Sequence, residues 1–481
     1  MNSAKNAAGG DQRQARSNGD HSVGGTDEAG IDVVPPSALK RTIGGTSVGN
    51  MMEWYDFGIF AFLVPTISQV FFAGIASSGS LIATFTMFAA AFVVRPLGGL
   101  FFGPLGDRIG RRRVLAITMI TMAVGTLSIG LIPGYTSIGI WSPILLLAAR
   151  LVQGFSTGGE YAGAMTYLSE HSPDTRRGFL TSWLEFGTLS GYVLGAGVAT
   201  IVTAAVPQEV LLSWGWRIPF LIAGPLGLIG LYVRTRLEES PAYEQHAQDR
   251  DPEQQSLRDQ FHDTIVRPWR PLLVCVGLVL ALNVTNYILT QYMPTYLSEE
   301  IGLPQTPALL IVLAVMVVLM GLVTVGGWVS DRIGRNPILY TGCVLLLVLS
   351  VPAFLLTAQG SYLLVFLGSL LIGLMLFCFN STLPSTLPAL FPVGARYGSL
   401  AIGFNVSVSV FGGTTPLIAA ALVAATGSKL MPAFLLVAAG LVGLVSVYFT
   451  GEKAGKPMPG SPPTAASQTE ARKLADDPQR E

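Results

Sequence analysis

Six charged side chains lie inside long apolar segments of the chain, where their chemistry is unusual. They are Glu53, Asp56, Arg95, Arg150, Glu160 and Glu185. A charge in hydrocarbon costs at least about 2.5–3.5 kcal/mol on insertion scales, so a charged residue in such a segment is a candidate for function. No Lys lies in these segments, and all 4 His residues fall in polar stretches. If protons pass through this protein, we therefore expect carboxylates to carry them.

Helical spacing groups several of these residues on shared faces. Arg150, Gln153, Thr157 and Glu160 follow one another at intervals of 3, 4 and 3 residues. In a continuous helix with about 100° per residue, this spacing places them on one stripe. We expect that stripe to face an internal cavity.

A carboxylate paired with an arginine is the simplest proton switch. It stays ionised beside the arginine, and it takes up a proton when the two separate in a dry site. We predict Asp56 with Arg150 as the main pair, and Glu53 lies three residues from Asp56 on the same helical face. Glu160 and Glu185 are the alternative proton carriers. The competing interpretation is that these charges form structural ion pairs between helices.

Neutral polar residues dominate the second half of the chain. Asn283, Asn286, Tyr287, Thr290 and Gln291 recur at helical spacing, and Asn380, Ser381, Thr382 and Asn405 follow in later segments. We predict substrate contacts from Asn283, Asn286, Tyr287 and Asn405. Hydrogen bonding between helices is the alternative role for each.

Aromatic faces near buried carboxylates can hold an ammonium group through cation–π contacts. The candidates are Trp54, Tyr55, Tyr161, Trp183, Tyr287 and Tyr292. Arg95 or Arg150 would bind a carboxylate on the same molecule. A dianion would favour an excess of positive charge, but four acids and two arginines lie in the apolar segments. This balance suits a zwitterion, although core packing is the alternative role for each aromatic ring.

The composition excludes several classes of protein. Of 481 residues, 50% are hydrophobic and only 12% are charged, whereas about a quarter are charged in soluble domains. A nucleic-acid-binding protein, a disordered scaffold and an ordinary soluble enzyme are therefore excluded. No nucleophile–base pair and no metal-ligand set lies in the apolar segments, so we expect neither an enzyme nor a metal site. Cys275, Cys343 and Cys378 lie in apolar runs without metal or disulfide spacing.

Apolar runs long enough to cross a bilayer recur along the chain. We place them near 43–72, 80–105, 114–133, 140–167, 178–206, 214–233, 271–298, 306–329, 337–358, 361–391, 397–425 and 430–450. They predict an all-α membrane protein with twelve transmembrane helices in two six-helix bundles, 42–233 and 271–450. A disordered N-terminal tail (1–41), a central loop (234–270) and a polar C-terminal tail (451–481) complete the predicted organisation.

The distribution of Lys and Arg predicts the orientation. Nearly all of the 29 basic residues fall on one side if both tails and the even-numbered loops are cytoplasmic. Arg217 and Lys429 lie on the other side, and Arg95 and Arg150 lie within the membrane. Cytoplasmic loops carry an excess of Lys and Arg, so we predict that both termini are cytoplasmic.

An internal repeat relates the two halves. The segment GPLGDRIGRRR (103–113) recurs as GWVSDRIGRNP (327–337). The two segments align Asp107 with Asp331, Gly110 with Gly334 and Arg111 with Arg335. Both copies lie between the second and third predicted helix of their half. Duplicated bundles of this kind place a binding site at their interface near the membrane midplane, as in transporters.

The repeated loop resembles the signature of the major facilitator superfamily over residues 43–450. Four further segments resemble its metabolite:proton symporter family, particularly the proline/glycine betaine branch. They are GNMMEWYDFGIF (49–60), FVVRPLGGLFFGPLGDRIGRRRVL (92–115), RLVQGFSTGGEYAGA (150–164) and SWGWRIPFLIAGPLGLIGLY (213–232). The segments WLEFGTLSGYVLGAG (183–197), NVTNYILTQYMPTYLS (283–298) and STLPALFP (385–392) also fit that branch.

The resemblance implies a mechanism in which two bundles alternate access to a central site. In the family, the loop aspartates engage neighbouring helix ends and basic residues and so hold one conformation. Asp107 and Asp331 match those aspartates, and Gly110 and Gly334 match the turn glycines. Arg111, Arg112 and Arg335 match the basic residues on the cytoplasmic side.

The resemblance also implies an activity, which is proton-driven import of compatible solutes such as proline or glycine betaine. The expected partners are a small zwitterionic osmolyte, protons and the bilayer of a bacterial plasma membrane. No nucleic acid, no cofactor besides the proton gradient and no obligatory oligomer is expected. Symport of an organic acid (2-oxoglutarate, citrate or shikimate) and a non-transporting membrane sensor are the alternatives. The C-terminal tail lacks heptads, so regulation through a coiled coil is not expected.

Overall fold

The computed structural model describes residues 31–34, 36–75, 77–109, 111–158, 160–235 and 262–475. The first part is helical from Pro36 onward. Its helices are α1 Pro36–Phe62, α2 Val64–Phe71, α3 Ser77–Ile109, α4 Arg111–Leu131, α5 Tyr135–Ile138, α6 Trp141–Ser156, α7 Glu160–Glu170, α8 Arg177–Ala205, α9 Gln208–Ser213 and α10 Ile218–Thr235.

The second part is also helical, and it contains π-helical turns. Its helices are α11 Trp269–Tyr287, α12 Met293–Thr295, α13 Gln305–Ile333, α14 Arg335–Thr357, α15 Tyr362–Thr386, α16 Val393–Ser407, α17 Thr415–Thr426, α18 Met431–Tyr448 and α19 Gln468–Ala475. The π turns Ile288–Tyr292 and Tyr296–Glu300 flank α12, and Val408–Gly412 joins α16 to α17. Two short strands, β1 Asp32–Val33 and β2 Thr464–Ala465, pair in parallel.

Within the described residues, eight helical segments are long and apolar enough to cross a membrane. They are Gly79–Phe102, Asp174–Ala205, Trp269–Glu300, Gln305–Ile333, Arg335–Thr357, Tyr362–Thr386, Val393–Thr426 and Met431–Tyr448. Two further apolar helices, Ile117–Leu131 and Gly215–Ile229, are shorter. The protein is therefore an all-helical, multi-pass membrane protein.

The helices of each half pack mainly on one another. In the first half, α1 packs on α8 and α10, and α6 packs on α3 and α4. In the second half, α14 packs on α15 and α18, and α11 packs on α16 and α18. The two halves meet where α8 lies against α13 and α15, and where α3 lies against α17 and the neighbouring π turn.

Glycine permits close contacts between helices of the first half. A Cβ atom on Gly191 of α8 would lie 2.3 Å from the carbonyl oxygen of Met51 in α1. Since any larger residue would separate these backbones, Gly191 sets the distance between the two helices.

Several predicted segments differ from the observed helices. The first helix starts at Pro36, earlier than the predicted 43, so the predicted N-terminal tail ends sooner. The 43–72 segment is interrupted at Leu63, because Pro65 in the first turn of α2 has no N–H to continue a preceding helix. The 140–167 segment is interrupted after Ser156, where Gly158 disfavours a helix.

The predicted C-terminal tail is folded against the ends of the helices. Glu452 accepts the backbone N–H groups of Arg335 and Asn336 at 3.0 Å each, at the first turn of α14. The carbonyl of Pro459 accepts from the backbone of Val393 at 3.1 Å and from Arg396 at 2.8 Å. Residues of both halves therefore hold this segment, since β2 also pairs with β1 ahead of α1.

Candidate functional site

Glu53 and Arg95 form an ion pair between α1 and α3. Arg95 Nη2 donates to Glu53 Oε1 at 2.9 Å, and both side chains are almost fully buried. Within the described residues, Arg95 Nε and Nη1 have no hydrogen-bond partner. The sequence predicted Glu53 as a proton-coupling residue and Arg95 as a substrate ligand, and the structure brings the two together.

Arg150 of α6 lies in an aromatic pocket. Its guanidinium carbon is 4.3 Å from the centroid of Phe60, 5.3 Å from that of Phe88 and 5.5 Å from that of Phe57. Arg150 is fully buried, and its Nη1 donates to Gln153 Oε1 at 2.9 Å. Cation–π contacts of this kind stabilise a cation that has lost its water.

Asp56 and Arg150, the predicted pair, are connected indirectly. The Asp56 carboxyl group lies beside Thr126 of α4, and Gln153 Nε2 donates to Thr126 Oγ1 at 2.6 Å. Because Gln153 also accepts from Arg150, a chain of polar groups runs from Asp56 through Thr126 and Gln153 to Arg150. The two charges make no direct salt bridge in this structure. Neither Thr126 nor the bridging role of Gln153 was anticipated from the sequence.

Glu160 does not share a continuous helix with Arg150. The predicted stripe is interrupted because α6 ends at Ser156 and α7 begins at Glu160. Glu160 is partly buried, and it lines a small cavity of about 20 Å³ together with Glu53 and Asp56. The helix break therefore turns Glu160 toward the acidic residues of α1.

Glu185 of α8 is hydrogen-bonded to the hydroxyl of Tyr161. Tyr161 belongs to α7, so this contact joins the two helices on the interior of the first half. Tyr161 also lies within electrostatic range of Glu53. Two of the buried carboxylates thus approach the same aromatic side chain.

Trp54 is the centre of an aromatic cluster. Its ring centroid lies 5.3 Å from that of Tyr192, and 6.4 Å from those of Tyr161 and Tyr287. Asn50 orients the indole, because Trp54 Nε1 donates to Asn50 Oδ1 at 3.1 Å. Trp54, Tyr161 and Tyr287 were expected to line a substrate site, and the structure brings these three together.

Tyr192, Asn50 and Phe404 belong to the same neighbourhood although sequence reasoning did not select them. The ring of Phe404 from α16 stacks on Tyr161 with centroids 4.8 Å apart. A polar residue one helical turn before Trp54 was the available signal for Asn50. Tyr192 and Phe404 carried no signal, because a single aromatic residue in an apolar helix resembles any core residue.

Two other predicted aromatic residues lie away from this cluster. The hydroxyl of Tyr55 donates to the carbonyl of Pro219 at 2.8 Å, because this side of α1 faces α10. The ring of Trp183 packs on Phe179 and Phe186 of its own helix. Neighbours in sequence point in different directions around a helix, so Tyr55 cannot share the face of Trp54.

The polar face of α11 lies opposite this aromatic cluster. Asn286 Nδ2 donates to the hydroxyl of Tyr192 at 3.4 Å, and Tyr287 contacts Trp54. Among the described residues, Asn283 Nδ2 and the Tyr287 hydroxyl are buried without a hydrogen-bond partner. Asn405 was also predicted here, but its Nδ2 donates to Ala401 O of its own helix at 2.9 Å. The structure thus brings Asn283, Asn286 and Tyr287 to the interface and gives Asn405 a local partner.

Asp331 connects the two halves at the end of α13. Its Oδ1 accepts the N–H of Gly178 at 2.7 Å, and its Oδ2 accepts that of Phe179 at 2.8 Å. Both N–H groups belong to the first turn of α8, where backbone donors are unpaired within the helix. A carboxylate is also favoured there by the helix dipole. Asp331 therefore holds a helix of the opposite half.

Other residues of the second repeat copy support this contact. Gly334 has a φ of 98°, a conformation that glycine adopts at little cost. Arg335 is fully buried, and its Nη1 donates to the carbonyl of Ser385 at 2.9 Å. Outside the repeat, Arg396 pairs with Glu170 at 2.8 Å, which is an ionic contact between the halves.

The first repeat copy is described only in part. Asp107 lies in α3, and Arg111 and Arg112 begin α4. Gly110 lies outside the described residues, as do the side-chain contacts of the other three. Their gating roles therefore stay predictions.

The fold and these interhelical contacts define a class of membrane transporter. The family model of the major facilitator superfamily matches residues 46–413, so the chain belongs to that superfamily. Its members are transporters rather than enzymes. The solved structure of the proton:xylose symporter XylE bound to 6-bromo-6-deoxy-D-glucose has the same fold, with a TM-score of 0.70 and 18% identity. That match covers 92% of this chain and 99% of the other.

Three relatives that are named as transporters are similar over most of the chain. The chain is 44% identical to the proline/betaine transporter of Escherichia coli K12 over 449 residues, which cover 92% of this chain and 90% of that protein. It is 44% identical to the glycine betaine/proline/ectoine/pipecolic acid transporter OusA of Dickeya dadantii, over 92% of this chain and 89% of the relative. The ectoine/proline transporter ProP of Corynebacterium glutamicum is 43% identical, with 92% and 90% covered.

Proposed function

We propose that this protein imports small zwitterionic compatible solutes, proline or glycine betaine, together with protons. The observation that carries the proposal is the aromatic cluster around Trp54, placed between buried carboxylates and the polar face of α11. The names of relatives at 43–44% identity support the same substrate class. No chemical cofactor takes part, because the proton gradient supplies the free energy.

The substrate ammonium group would lie against Trp54, Tyr161 and Tyr192. Aromatic faces attract ammonium groups, including quaternary ones, by about 0.5–2 kcal/mol each. Glu185, bonded to Tyr161, supplies a negative charge beside these rings. The unpartnered Nε and Nη1 atoms of Arg95 are the proposed donors to the substrate carboxylate.

Asp56 is the proposed main proton carrier. It lines a cavity, and polar groups link it to Arg150 through Thr126 and Gln153. A change in this linkage would change how favourable the ionised form of Asp56 is. Glu53, Glu160 and Glu185 are the other carboxylates available for the same task.

Alternating access would proceed by separation of the two halves at the face that carries Asp331. In this structure Asp331, Arg396 and Glu170 join the halves there. We propose that this face is cytoplasmic, since the loops that end there carry most of the Lys and Arg. The same assignment places both termini in the cytoplasm and the chain in a bacterial plasma membrane.

The proposal includes twelve membrane crossings. Eight are the long apolar segments, and the other four would be α1, α4, the pair α6 and α7, and α10. The pair α6 and α7 would act as one broken crossing. Broken transmembrane helices are tolerated where the interruption is buried in protein, as it is at Gly158.

Uptake by the purified protein in liposomes tests this function. Labelled proline or betaine should accumulate when the outside is acidified, and a protonophore should abolish the accumulation. If dicarboxylates accumulate and betaine does not, the protein is an organic-acid symporter. Ligand binding without net flux would indicate a sensor.

A further inference from the structure

Gln291 is a buried amide without a well-formed hydrogen bond. It is fully buried, and within the described residues neither its Nε2 nor its Oε1 has a partner at good hydrogen-bond geometry, although the Tyr192 hydroxyl lies nearby. Asn286 is nearly as buried, and its Oδ1 is also unpartnered. A buried polar group left unpaired costs about 1–3 kcal/mol. Packing alone does not explain two side chains with this penalty on one helical face.

The position of Gln291 depends on the π turn Ile288–Tyr292 that follows α11. A π turn closes i to i+5 hydrogen bonds, so residue 291 returns to the face of residue 286. The surroundings of the Tyr192 hydroxyl agree with this arrangement. Asn286, Thr290 and Gln291 all lie beside it. The Tyr192 ring is 5.3 Å from that of Trp54. Gln291 and Asn286 belong to the second half of the protein. They therefore lie beside Trp54 and Tyr192, which the first half contributes to the aromatic cluster.

We propose that the side-chain oxygens of Gln291 and Asn286 accept hydrogen bonds from the N–H groups of a substrate's ammonium and so select secondary ammonium substrates over quaternary ones. This inference rests on the proposed function and adds a specificity to it. In this proposal, Gln291 and Asn286 contact the substrate directly.

The chemistry of the two substrate types distinguishes them at this site. The secondary ammonium of proline carries two N–H donors, whereas the trimethylammonium of betaine carries none. The trimethylammonium group of betaine would contact the aromatic faces, and the two amide oxygens would remain unpaired beside its methyl groups. A site built to hydrogen-bond a substrate rejects an analogue that lacks the matching group. Removal of the amide should therefore weaken the binding of proline and should not weaken the binding of betaine.

The variant Gln291→Met tests this specificity. Methionine has similar length and flexibility, but it has no amide oxygen to accept a hydrogen bond. The substrates are proline, N-methylproline and N,N-dimethylproline, which carry two, one and no N–H groups on the same ring. Uptake or competition would be measured in liposomes for the wild type, for Gln291→Met and for Gln69→Met, the same change at an exposed position.

In Gln291→Met, the KM for proline should rise about tenfold, which is the loss of one hydrogen bond to a charged group. The KM for N-methylproline should rise less, and those for N,N-dimethylproline and betaine should not rise. An equal rise for all four substrates would overturn the proposal and indicate a structural role. Unchanged values for all four would also overturn it, because the amide would then contact only water.

The wild-type measurement separates this inference from the proposed function. If the wild-type protein transports none of these substrates, the proposed function itself is wrong. If it transports them and Gln291→Met does not change their ranking, only the specificity assigned to Gln291 fails. Asn286→Leu, with the same substrate series, provides the second variant should Gln291→Met fail to insert into liposomes.

Discussion

Arg95 Nη2 donates to Glu53 Oε1 at 2.9 Å, with side chains only 1% and 4% exposed. The pair joins α3 to α1 at Glu53, which directly precedes Trp54 and lies about one helical turn before Asp56. Burial of both charges is costly, and their attraction offsets that cost only while both are present. This pair therefore fixes the position of the helix that carries the aromatic centre and the proposed proton carrier.

Glu53→Gln should destabilise the protein, because it leaves the Arg95 charge buried without its ionic partner. Loss of one member of a buried pair typically costs about 3–5 kcal/mol. The double variant Glu53→Gln/Arg95→Met removes both charges and should recover much of that loss. Thermal unfolding in detergent measures both effects. Equal stability of the single and double variants would show that the pair is not coupled.

Asp331→Asn should weaken the contact between α13 and α8. The substitution removes a negative charge that accepts two backbone N–H groups at the start of α8, and charge-assisted bonds are about twice as strong as neutral ones. The halves should then separate more readily on this face. Labelling of a single cysteine introduced at Ser182, which lies beneath the contact, should become faster, and transport should slow.

Arg332→Gln is the matched control for Asp331→Asn. Arg332 is adjacent in sequence, but its guanidinium lies over the exposed Trp328 ring and makes no contact between the halves. Its labelling rate should equal that of the parent. Faster labelling in Arg332→Gln than in Asp331→Asn would contradict the gating role of Asp331.

Glu452 should stabilise the folded C-terminal segment at neutral pH. Burial raises the pKa of its carboxyl group, but the backbone N–H groups of Arg335, Ala454, Asn336 and Lys453 outweigh this and hold the pKa below 4.5. A carboxylate with a lowered pKa contributes stability above its unfolded pKa and loses it as pH falls through the folded value. The contribution is therefore complete at pH 7 and declines only below about pH 4.5.

Glu452→Gln should accordingly release the segment at pH 7, at a cost of about 1 kcal/mol, as for loss of a helix cap. Proteolysis between Gly451 and Ala475 should become faster at pH 7, and the difference from the wild type should shrink below pH 4. Lys453→Gln is the control, because its own backbone N–H is retained. A difference between Glu452→Gln and wild type that does not change with pH would contradict the assigned role of the carboxylate.

The sequence predicted the helical membrane fold because hydrophobic length and charge depletion are properties of single segments. The central residues Trp54, Tyr161 and Tyr287 could also be selected from the sequence, because aromatic and charged side chains in apolar segments are rare. The broken helix between Ser156 and Glu160 was not anticipated, since the face predicted for Glu160 assumed continuous helical geometry. A helix break moves every later residue to another face.

Contacts between helices distant in sequence could not be predicted. Thr126 and Gln153 link Asp56 to Arg150, but neither carries a charge that would mark it in an apolar segment. Tyr192 joins the site only because α8 packs against both α1 and the second half. The folded C-terminal segment was missed for a similar reason, since Glu452 gains its role from backbone donors on α14.

Gln153→Leu tests whether the polar chain couples Asp56 to Arg150. Leucine fills similar volume but cannot accept from Arg150 or donate to Thr126, so both charges remain while the connection between them is lost. Proton-driven accumulation should fall at least tenfold, while exchange of substrate across the membrane, which needs no net proton movement, should continue. Asp56→Asn should have the same pattern, because both changes remove the proton step and leave the aromatic cluster intact. Gln69→Leu, at an exposed position, should accumulate substrate normally. Normal accumulation by Gln153→Leu, together with loss in Asp56→Asn, would mean that Asp56 takes up its proton independently of Arg150.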